Sequence, residues 1–240
     1  MYWKKDAERL SDLARFHSSI KRTAIRREPV AMDLGSGRLH DLFKWSGIGY
    51  MIAIERDPEA YEEGRKVAEA SYHATLTIDY IRADLTKPEH IDRLISSVPK
   101  IWSVYCFFAI HYFTGQKEDF DQIVRLIQAK LRPGGRFCFT CFSAEKIQAL
   151  PKEINFGNQY YIKKKYDDQK PGFGRKIGVY ISSIGYEHDE FLVYSETIRE
   201  AFPGFKITRK NFSQFPRAPE NEHDRAFSFL NDLWILIKPA

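Results

Sequence analysis

The chain has few cysteines, no long apolar stretch and no large excess of one charge. Its 240 residues include 3 cysteines, an odd number that does not suggest a disulfide framework and suits a reducing compartment. No apolar run approaches the ~20 residues of a membrane-spanning helix, and the opening MYWKKDAERL lacks the apolar core of a signal peptide. We therefore expect a soluble, intracellular protein with no membrane partner.

Charge and composition set broad limits on partners and domain number. The 37 basic and 32 acidic residues give a net charge of +5, which permits a polyanionic partner but is too small for a non-specific nucleic-acid binder. The sequence has no internal repeat, low-complexity tract or linker, and its 43% apolar content suffices for one core. We expect 1–240 to be a single domain. The basic, turn-rich segment 163–176 is either a solvated connection or an RNA contact.

A C-x-x-C pair lies in the segment GRFCFTCF, at Cys138 and Cys141. That segment reads as a strand, in which residues three apart point to opposite faces. Burial in the core is therefore favoured over a metal or redox role. Since no convergent cluster of His, Cys and Asp is visible elsewhere, we expect no metal.

Strand-like and helix-like segments alternate over the first 145 residues. The β-rich runs are at 30–35, 51–56, 78–84, 104–110 and 136–142. Helical spacing is clearest at 117–131, which ends before Pro133-Gly134-Gly135. Near-continuous apolar strands with intervening helices predict a parallel sheet covered on both faces, a doubly wound α/β domain.

The pattern changes after residue 150. Further β-like runs lie at 177–184, 190–194 and 233–237, with one helical candidate near 195–202. We expect these runs to extend the sheet and to build a wall for the substrate.

The most informative local segment is Asp33-Leu34-Gly35-Ser36-Gly37-Arg38, directly after the first predicted strand. In a doubly wound sheet this turn lies at the carboxyl edge, where ligands bind. Gly35 and Gly37 lack Cβ atoms, which allows a ligand to approach the backbone and permits positive φ. His40 stands where the dinucleotide fingerprint G-x-G-x-x-G requires its third glycine, so that class is excluded.

Two more carboxylates follow the second and third predicted strands. Glu55 is placed to bind both hydroxyls of a ribose, and Asp84 ends the third strand. Each acid alone is more often an ordinary strand-end or helix-cap residue. Together with D-x-G-x-G they resemble the arrangement that binds methionine, ribose and adenine in class I methyltransferases.

The substrate is indicated by Phe108-Ala109-Ile110-His111-Tyr112, which resembles the Q-F-x-x-H-Y motif of messenger RNA cap guanine-N7 methyltransferases. Four other segments resemble family motifs in the family's order: Phe16-His17-Ser18-Ser19-Ile20-Lys21 (N-N-x-x-K), 33–41 (D-L-G-C-G-K-G-G-D), Leu131-Arg132-Pro133-Gly134-Gly135 (L-x-P-G-G) and Asp189-Glu190-Phe191-Leu192-Val193 (E-Y-L-V). The resemblance implies a class I, Rossmann-like fold with a mostly parallel seven-stranded sheet, and S-adenosylmethionine as methyl donor, with S-adenosylhomocysteine as product.

The resemblance also implies an organisation and partners. It divides the chain into a helical extension over the cofactor (1–28), a cofactor-binding core (29–145) and a cap-binding wall with C-terminal strands (146–240). It is closest to capping enzymes of large cytoplasmic DNA viruses, whose poxvirus members carry F-A-I-H-Y unchanged. Capped RNA, triphosphatase and guanylyltransferase domains in the same polypeptide, and a location in the host cytoplasm or the virion are then expected. Nothing in the sequence indicates or excludes a stimulatory subunit.

Residue roles follow by matching motif positions. The expected cofactor-binding residues are Lys21, Asp33, Gly35, Ser36, Gly37, Glu55, Asp84, Phe107 and Phe108. The expected cap-binding residues around the base are His111, Tyr112, Glu190 and Asn231. For the triphosphate we expect Arg38, which stands where the family has a basic residue, together with Lys44, Arg65 and Lys66. The last three come from segments that open towards the same edge of the sheet, and they are either phosphate ligands or solvated charges on helix faces. Phe107 stands for a family glutamine, Ser18 and Ser19 for two asparagines, and Asn231 for a tyrosine near the cap base.

Three of these residues suit a guanine independently of the resemblance. A carboxylate at Glu190 can accept from both N1–H and N2–H, His111 can donate to O6, and Tyr112 can form a wall of the base pocket. Guanine N7 has a free lone pair, so no catalytic base is needed and alignment should lower the barrier. Two alternatives stay open: a class I methyltransferase for a small metabolite, and a catalytically silent RNA-binding module.

Overall fold

The computed structural model describes residues 11–71, 76–167 and 171–240. The first ten residues of the expected N-terminal extension and residues 168–170 of the basic segment lie outside this description. The helices are α1 (Asp12–Ala24), α2 (Pro58–Ala70), α3 (Pro88–Ser97), α4 (Lys117–Lys130), α5 (Ala144–Ala149), α6 (Ser195–Ala201) and α7 (Glu222–Ser228). The strands are β1 (Glu28–Leu34), β2 (Ile48–Glu55), β3 (Thr77–Arg82), β4 (Ile101–Phe107), β5 (Leu131–Phe142), β6 (Glu153–Phe156), β7 (Tyr160–Lys164), β8 (Lys176–Ile181), β9 (Glu187–Phe191), β10 (Lys206–Asn211) and β11 (Asn231–Ile237).

A seven-stranded sheet forms the centre of the molecule, in the order β10-β11-β5-β4-β1-β2-β3. The first five strands of the chain pair in parallel, and β11 is antiparallel to both β5 and β10. The strand order reverses between β1 and β4, so their carboxyl ends open a crevice for a ligand. The expected class I, mostly parallel seven-stranded sheet is confirmed.

Helices cover both faces of this sheet, as the alternation predicts. The helix α1 begins at Ser11, whose side chain accepts from Ala14 N. Its buried Phe16 and Ile20 join a core on one face of the sheet, whereas α3 and α4 pack into the core on the other face. Cys138 belongs to the first of these cores and Cys141 to the second, so the two thiols diverge and the packing interpretation of C-x-x-C is confirmed.

The segment after β5 differs from the prediction. The runs at 177–184 and 190–194 do not extend the main sheet but form a separate antiparallel sheet, in the order β6-β7-β8-β9; only the run at 233–237 extends the main sheet, as β11. The sequence did not predict β6, β7 or β10. Residues of β10 alternate between exposed and half-buried at the edge of the sheet, and such a strand carries little apolar signal.

The smaller sheet lies against the carboxyl edge of the larger one. A parallel bridge joins Ser143, just after β5, to Val193, just after β9. Strand β9 packs against a 3₁₀ turn, Ile110–Phe113, that follows β4. The predicted cap-binding motif and the strands predicted to bind the cofactor therefore meet at one edge. In the part of the chain that the structure describes, no helix is long and apolar enough to cross a membrane.

Candidate active site

The loop after β1 is fixed by backbone hydrogen bonds to β2. The N–H groups of Gly35 and Ser36 donate to Ile54 O at 2.9 and 3.0 Å, and the Ser36 hydroxyl donates to the same oxygen. Gly35 has φ of +71°, and a Cβ there would lie 2.7 Å from Ala109 Cβ. Glycine is therefore required at 35 both for the turn and for close packing against the F-A-I-H-Y segment.

Glu55 ends β2 and holds this loop through its carboxylate. One oxygen accepts from Gly37 N at 2.8 Å, and the other accepts from the N–H groups of Arg56 and Asp57, each at 2.8 Å. A carboxylate offers about four acceptor positions, so about one is left for a ligand hydroxyl. The sequence predicts bonds to both hydroxyls of a ribose, which requires one backbone contact to open or to be shared.

A cleft of about 460 Å³ opens beside Glu55. Its lining residues are Gly35, Gly37, Ile54, Glu55, Arg56, Asp57, Ala83, Leu85, Phe108, Ala109, Tyr112, Phe113 and Tyr186. Asp84 is not among them although both of its neighbours are, because its carboxylate accepts from the backbone and the hydroxyl of Thr86. The structure therefore places Asp84 as the cap of a local turn and leaves apolar Ala83 and Leu85 facing the ligand.

A smaller pocket of about 40 Å³ adjoins the cleft and is strongly ionic. Lys21 Nζ lies 2.6 Å from Asp41 Oδ2, and Lys44 also forms an ion pair with Asp41. Burial raises the pKa of Asp33 to about 7 and, with the nearby Lys21 and Arg22, lowers that of Lys44 to about 7. The pocket thus presents ammonium and carboxyl groups side by side.

The predicted role of Lys44 at the cap triphosphate is not supported by this geometry. Its side chain is 2% exposed and lies in the ionic pocket. The 3₁₀ turn Leu42–Trp45 directs it inward while Phe43 faces solvent. A sequence pattern cannot assign these directions, because a 3₁₀ turn this short has no clear apolar period.

Two phenylalanines separate the pockets. Phe107 lines the ionic pocket, and Phe108 lines the main cleft with its backbone at φ +55°. The His17 ring stacks on Phe108 at 4.8 Å and its Nε2 lies 2.9 Å from Ser228 Oγ. Burial lowers the pKa of His17 to about 3, so this imidazole is neutral.

His17 is a site residue that the sequence analysis missed. Counting N-N-x-x-K back from Lys21 puts the two asparagines at His17 and Ser18, not at Ser18 and Ser19. The structure agrees with that spacing, since Ser19 donates its hydroxyl to Phe16 O within α1 while His17 contacts the cleft residue Phe108. The correct count of the motif would have identified it.

The structure brings His111 and Glu190 together, as the sequence analysis predicts; they do not line the cleft themselves, although the adjacent Tyr112 does. His111 Nδ1 lies 3.3 Å from Glu190 Oε2, without the alignment of a hydrogen bond, and both ring nitrogens of His111 are buried without a hydrogen-bond partner. Burial lowers the pKa of His111, so the ring is neutral. Tyr112 is 42% exposed at the mouth of the cleft. Buried polar groups without a hydrogen-bond partner are uncommon in folded proteins, which makes His111 a candidate for ligand binding.

The other predicted triphosphate ligands lie on the surface around α2. Arg38 lies at an opening shared with Tyr112 and forms ion pairs with Glu59 and Glu63 at 3.6 and 2.8 Å. Arg65 is paired with Glu62 and Glu69 along its own helix. Lys66 is exposed on the same helix and lines neither pocket. Arg38 is thus the predicted cation best placed for a phosphate.

Asn231 does not line the cleft. It is 2% exposed, and its amide donates to Ser228 O at 3.2 Å and to Phe227 O at 3.5 Å. The residue stabilises the turn before β11, so an aromatic wall cannot come from this position. Two residues missed by sequence reasoning face the site instead: Tyr186, 65% exposed at the mouth, and His188, whose Nε2 lies 3.0 Å from Glu190 Oε1.

The arrangement can therefore bind a zwitterion, a nucleoside and a flat polar base within one connected crevice. Among the described residues, no group of three or more His, Cys, Asp and Glu side chains could hold a metal ion.

Comparisons with known proteins agree with this geometry. Residues 13–232 match the model of the mRNA (guanine-N(7))-methyltransferase domain. The chain is 26% identical over 226 residues to an mRNA-capping enzyme of African swine fever virus. This alignment covers 80% of this chain and 26% of that enzyme. It is 29% identical over 126 residues to the mRNA cap guanine-N(7) methyltransferase of Caenorhabditis briggsae, covering 50% of this chain and 33% of that protein.

The likeness to the viral enzyme is modest, and the chain spans about a quarter of its length. A solved S-adenosylmethionine-dependent methyltransferase of Clostridium acetobutylicum has a TM-score of 0.62 at 13% identity, with 94% of this chain and 92% of that chain covered. The glycopeptide N-methyltransferase MtfA, solved with S-adenosylmethionine, has a TM-score of 0.58 at 16% identity, with 93% and 87% covered. These structures share the fold, and the match over 13–232 shows that the chain belongs to the mRNA (guanine-N7)-methyltransferase family.

Proposed function

We propose that this chain transfers a methyl group from S-adenosylmethionine to N7 of the guanine cap of messenger RNA. The observation that carries the proposal is the buried, unpartnered His111 beside Glu190, next to the cleft residue Tyr112. Burial of polar ring nitrogens without partners is costly, which favours a polar ligand at this position. Family membership supports the same substrate.

The ionic pocket fits the methionine end of S-adenosylmethionine, and the cleft fits its ribose and adenine. The methionine end of the cofactor carries an ammonium and a carboxylate, and the pocket offers the buried carboxyl of Asp33 and the ammonium of Lys21. Glu55 offers an acceptor for a ribose hydroxyl, and Ala83 and Leu85 give an apolar surface for adenine. When bound, S-adenosylmethionine supplies a methyl group on a sulfonium that is already activated for transfer.

The side chains around Glu190 fit guanine. Glu190, 7% exposed, accepts from N1–H and N2–H, and a bidentate contact of this kind selects against adenine. A neutral His111 carries one N–H, which can donate to guanine O6. Tyr112 and the exposed Tyr186 border the cleft and provide aromatic faces for the base.

These residues act by alignment and electrostatics. Guanine N7 is unprotonated at neutral pH, so no residue needs to remove a proton. Glu190 and His111 hold N7 towards the donor at the near-attack distance of ~3 to 3.5 Å, and their burial keeps water from the reacting groups. As positive charge develops on the base, the Glu190 carboxylate stabilises it.

The chain's wider setting follows from its relatives. We propose that residues 1–240 act as one methyltransferase domain, with 29–145 binding the cofactor and 146–240 the cap. Because the chain spans 26% of the African swine fever virus enzyme, triphosphatase and guanylyltransferase domains in the same polypeptide are expected partners. Capped RNA is the expected substrate, and the host cytoplasm or a virion is the expected location.

The decisive experiment is incubation with GpppRNA and labelled S-adenosylmethionine, followed by nuclease digestion to locate the methyl group. The label should be released as 7-methylguanosine cap, and Glu190→Ala should reduce it by at least about a hundredfold. Unlabelled GpppA should compete. A small-metabolite methyltransferase would show no competition, and a silent RNA-binding module would bind GpppRNA without transferring methyl.

A further inference from the structure

Strand β9 carries two sets of charged side chains on its two faces. Alternation along the strand points Glu187 and Asp189 one way, where both bind Lys165 at 2.5 and 2.6 Å. His188 and Glu190 point the other way, towards the 3₁₀ turn that carries the cap-binding motif, and His188 Nε2 lies 3.0 Å from Glu190 Oε1. The pair therefore occupies the face of the strand that borders the substrate.

Glu190 depends on side chains for its orientation. β9 is the edge strand of its sheet, so its main chain pairs with β8 alone. One carboxylate oxygen lies 3.0 Å from His188 Nε2 and the other 3.3 Å from His111 Nδ1. The other titratable groups around it are Tyr112 from the turn and Cys141 from β5, and neither is a cation.

His188 is the neighbour that can carry a positive charge. Burial lowers the pKa of His111, whereas the hydrogen bond to Glu190 raises the pKa of His188. The backbone of Tyr186 and, from the opposite face of the strand, the charge of Asp189 also raise the pKa of His188. Within 11–71, 76–167 and 171–240, no Lys or Arg forms an ion pair with Glu190.

We infer that His188 is a positioning residue for cap recognition, which rests on the proposed function. Its Nε2–H holds Oε1 of Glu190 and so fixes the plane of the carboxylate, leaving the remaining acceptor positions for guanine N1–H and N2–H. Without this donor, Glu190 could rotate and would meet the base with one oxygen at a time. No motif resemblance assigns a role to His188, and it was absent from the sequence-based site.

Two substitutions of His188 distinguish the effect of its N–H donor from the effect of its ring. His188→Phe keeps a ring but removes the N–H, so KM for GpppRNA should rise about tenfold while kcat falls at most about threefold and S-adenosylmethionine affinity is unchanged. His188→Gln keeps a neutral donor and should restore KM to within about threefold of the wild type. Glu187→Gln, on the opposite face, is the matched control and should leave KM unchanged. Equal KM values for His188→Phe and the wild type would overturn the inference.

The pH dependence of KM tests the charge of His188 directly. Between pH 6 and 8.5, KM for the wild type should rise as His188 loses its proton, and His188→Gln should remove that rise. In ring-carbon NMR spectra the His188 signal, identified by its loss in His188→Gln, should show a pKa above 6.5 in the wild type. In Glu190→Gln the pKa of His188 should return towards 6.5. Failure of that return overturns the inference even if His188→Phe does not fold. Absence of N7 methylation by the wild type at every pH would instead contradict the proposed function.

Discussion

Replacing Glu55 by Gln changes one atom of the cofactor site and has a calculable effect. In the structure Glu55 accepts from Gly37 N and from the N–H groups of Arg56 and Asp57, each at 2.8 Å. The amide of Gln has one acceptor oxygen, so its NH₂ group must face at least one of these backbone donors. The substitution therefore disturbs the loop and removes the charged acceptor for a ribose hydroxyl.

Two costs result, and they appear in different measurements. A donor left without a partner costs about 1 kcal/mol in a half-exposed setting, and this cost falls on the free protein as lower stability. Loss of the charged hydrogen bond to the ligand costs about 2 kcal/mol, which corresponds to a rise of about thirtyfold in Kd for the cofactor. The first cost is present with or without ligand, whereas the second is seen only in binding.

Calorimetric titration with S-adenosylhomocysteine measures the binding term, and urea unfolding measures the stability term. Glu62→Gln is the matched control, because it removes the same charge from an exposed glutamate on α2 that is paired with Arg65. If Glu55→Gln binds within about threefold of the wild type, or if Glu62→Gln weakens binding equally, the assignment of Glu55 to the ribose is wrong.

Three further predictions concern neighbouring parts of the site. Burial raises the pKa of Asp33 to about 7, so Asp33 loses its charge by protonation at low pH. The Kd of Asp33→Asn for the cofactor, divided by that of the wild type, should therefore shrink about tenfold from pH 8 to pH 6. A ratio that does not change with pH contradicts this prediction. Gly35→Ala should lower the free energy of unfolding by about 2 kcal/mol more than Gly134→Ala, since both have φ +71° but only the first meets Ala109; equal urea midpoints would refute the clash. His111→Ala should reduce methyl transfer by about a hundredfold with S-adenosylmethionine affinity unchanged, and a parallel loss of that affinity would count against its assignment to the cap.

The elements that the sequence predicts are those with strong apolar periods. The five parallel strands and the helix at 117–131 are nearly continuous apolar runs or one-sided patterns, and both signals arise directly from burial. The strand β10 was missed because its edge position leaves half of its side chains in solvent. The runs of β8 and β9 were assigned to the wrong sheet, since periodicity identifies a strand but not its partner.

Motif spacing located the site but not the direction of each side chain. Asp84 follows β3 by two residues instead of ending it, and its carboxylate turns back to Thr86. Lys44 lies in the right loop, yet its ammonium is buried against Asp41. Both outcomes depend on local hydrogen bonds that compete with a ligand. No residue pattern predicts which hydrogen-bond partner each side chain takes. His188 was missed because a lone histidine gives no signal until the fold places it beside Glu190.

The link between the two halves of the site passes through one residue in an unfavourable backbone conformation. Phe108 has φ +55°, which for a non-glycine residue costs on the order of 1 to 3 kcal/mol. Two contacts hold it there: its N–H donates to Thr140 Oγ1 at 2.9 Å, and its ring stacks on His17. The left-handed turn puts the Phe108 ring in the cofactor cleft and starts the 3₁₀ turn that carries His111 to Glu190. A relaxed backbone at 108 would move the 3₁₀ turn away from the Phe108 ring, so under the proposed function this strain is the structural condition for bringing the methyl donor and the guanine together.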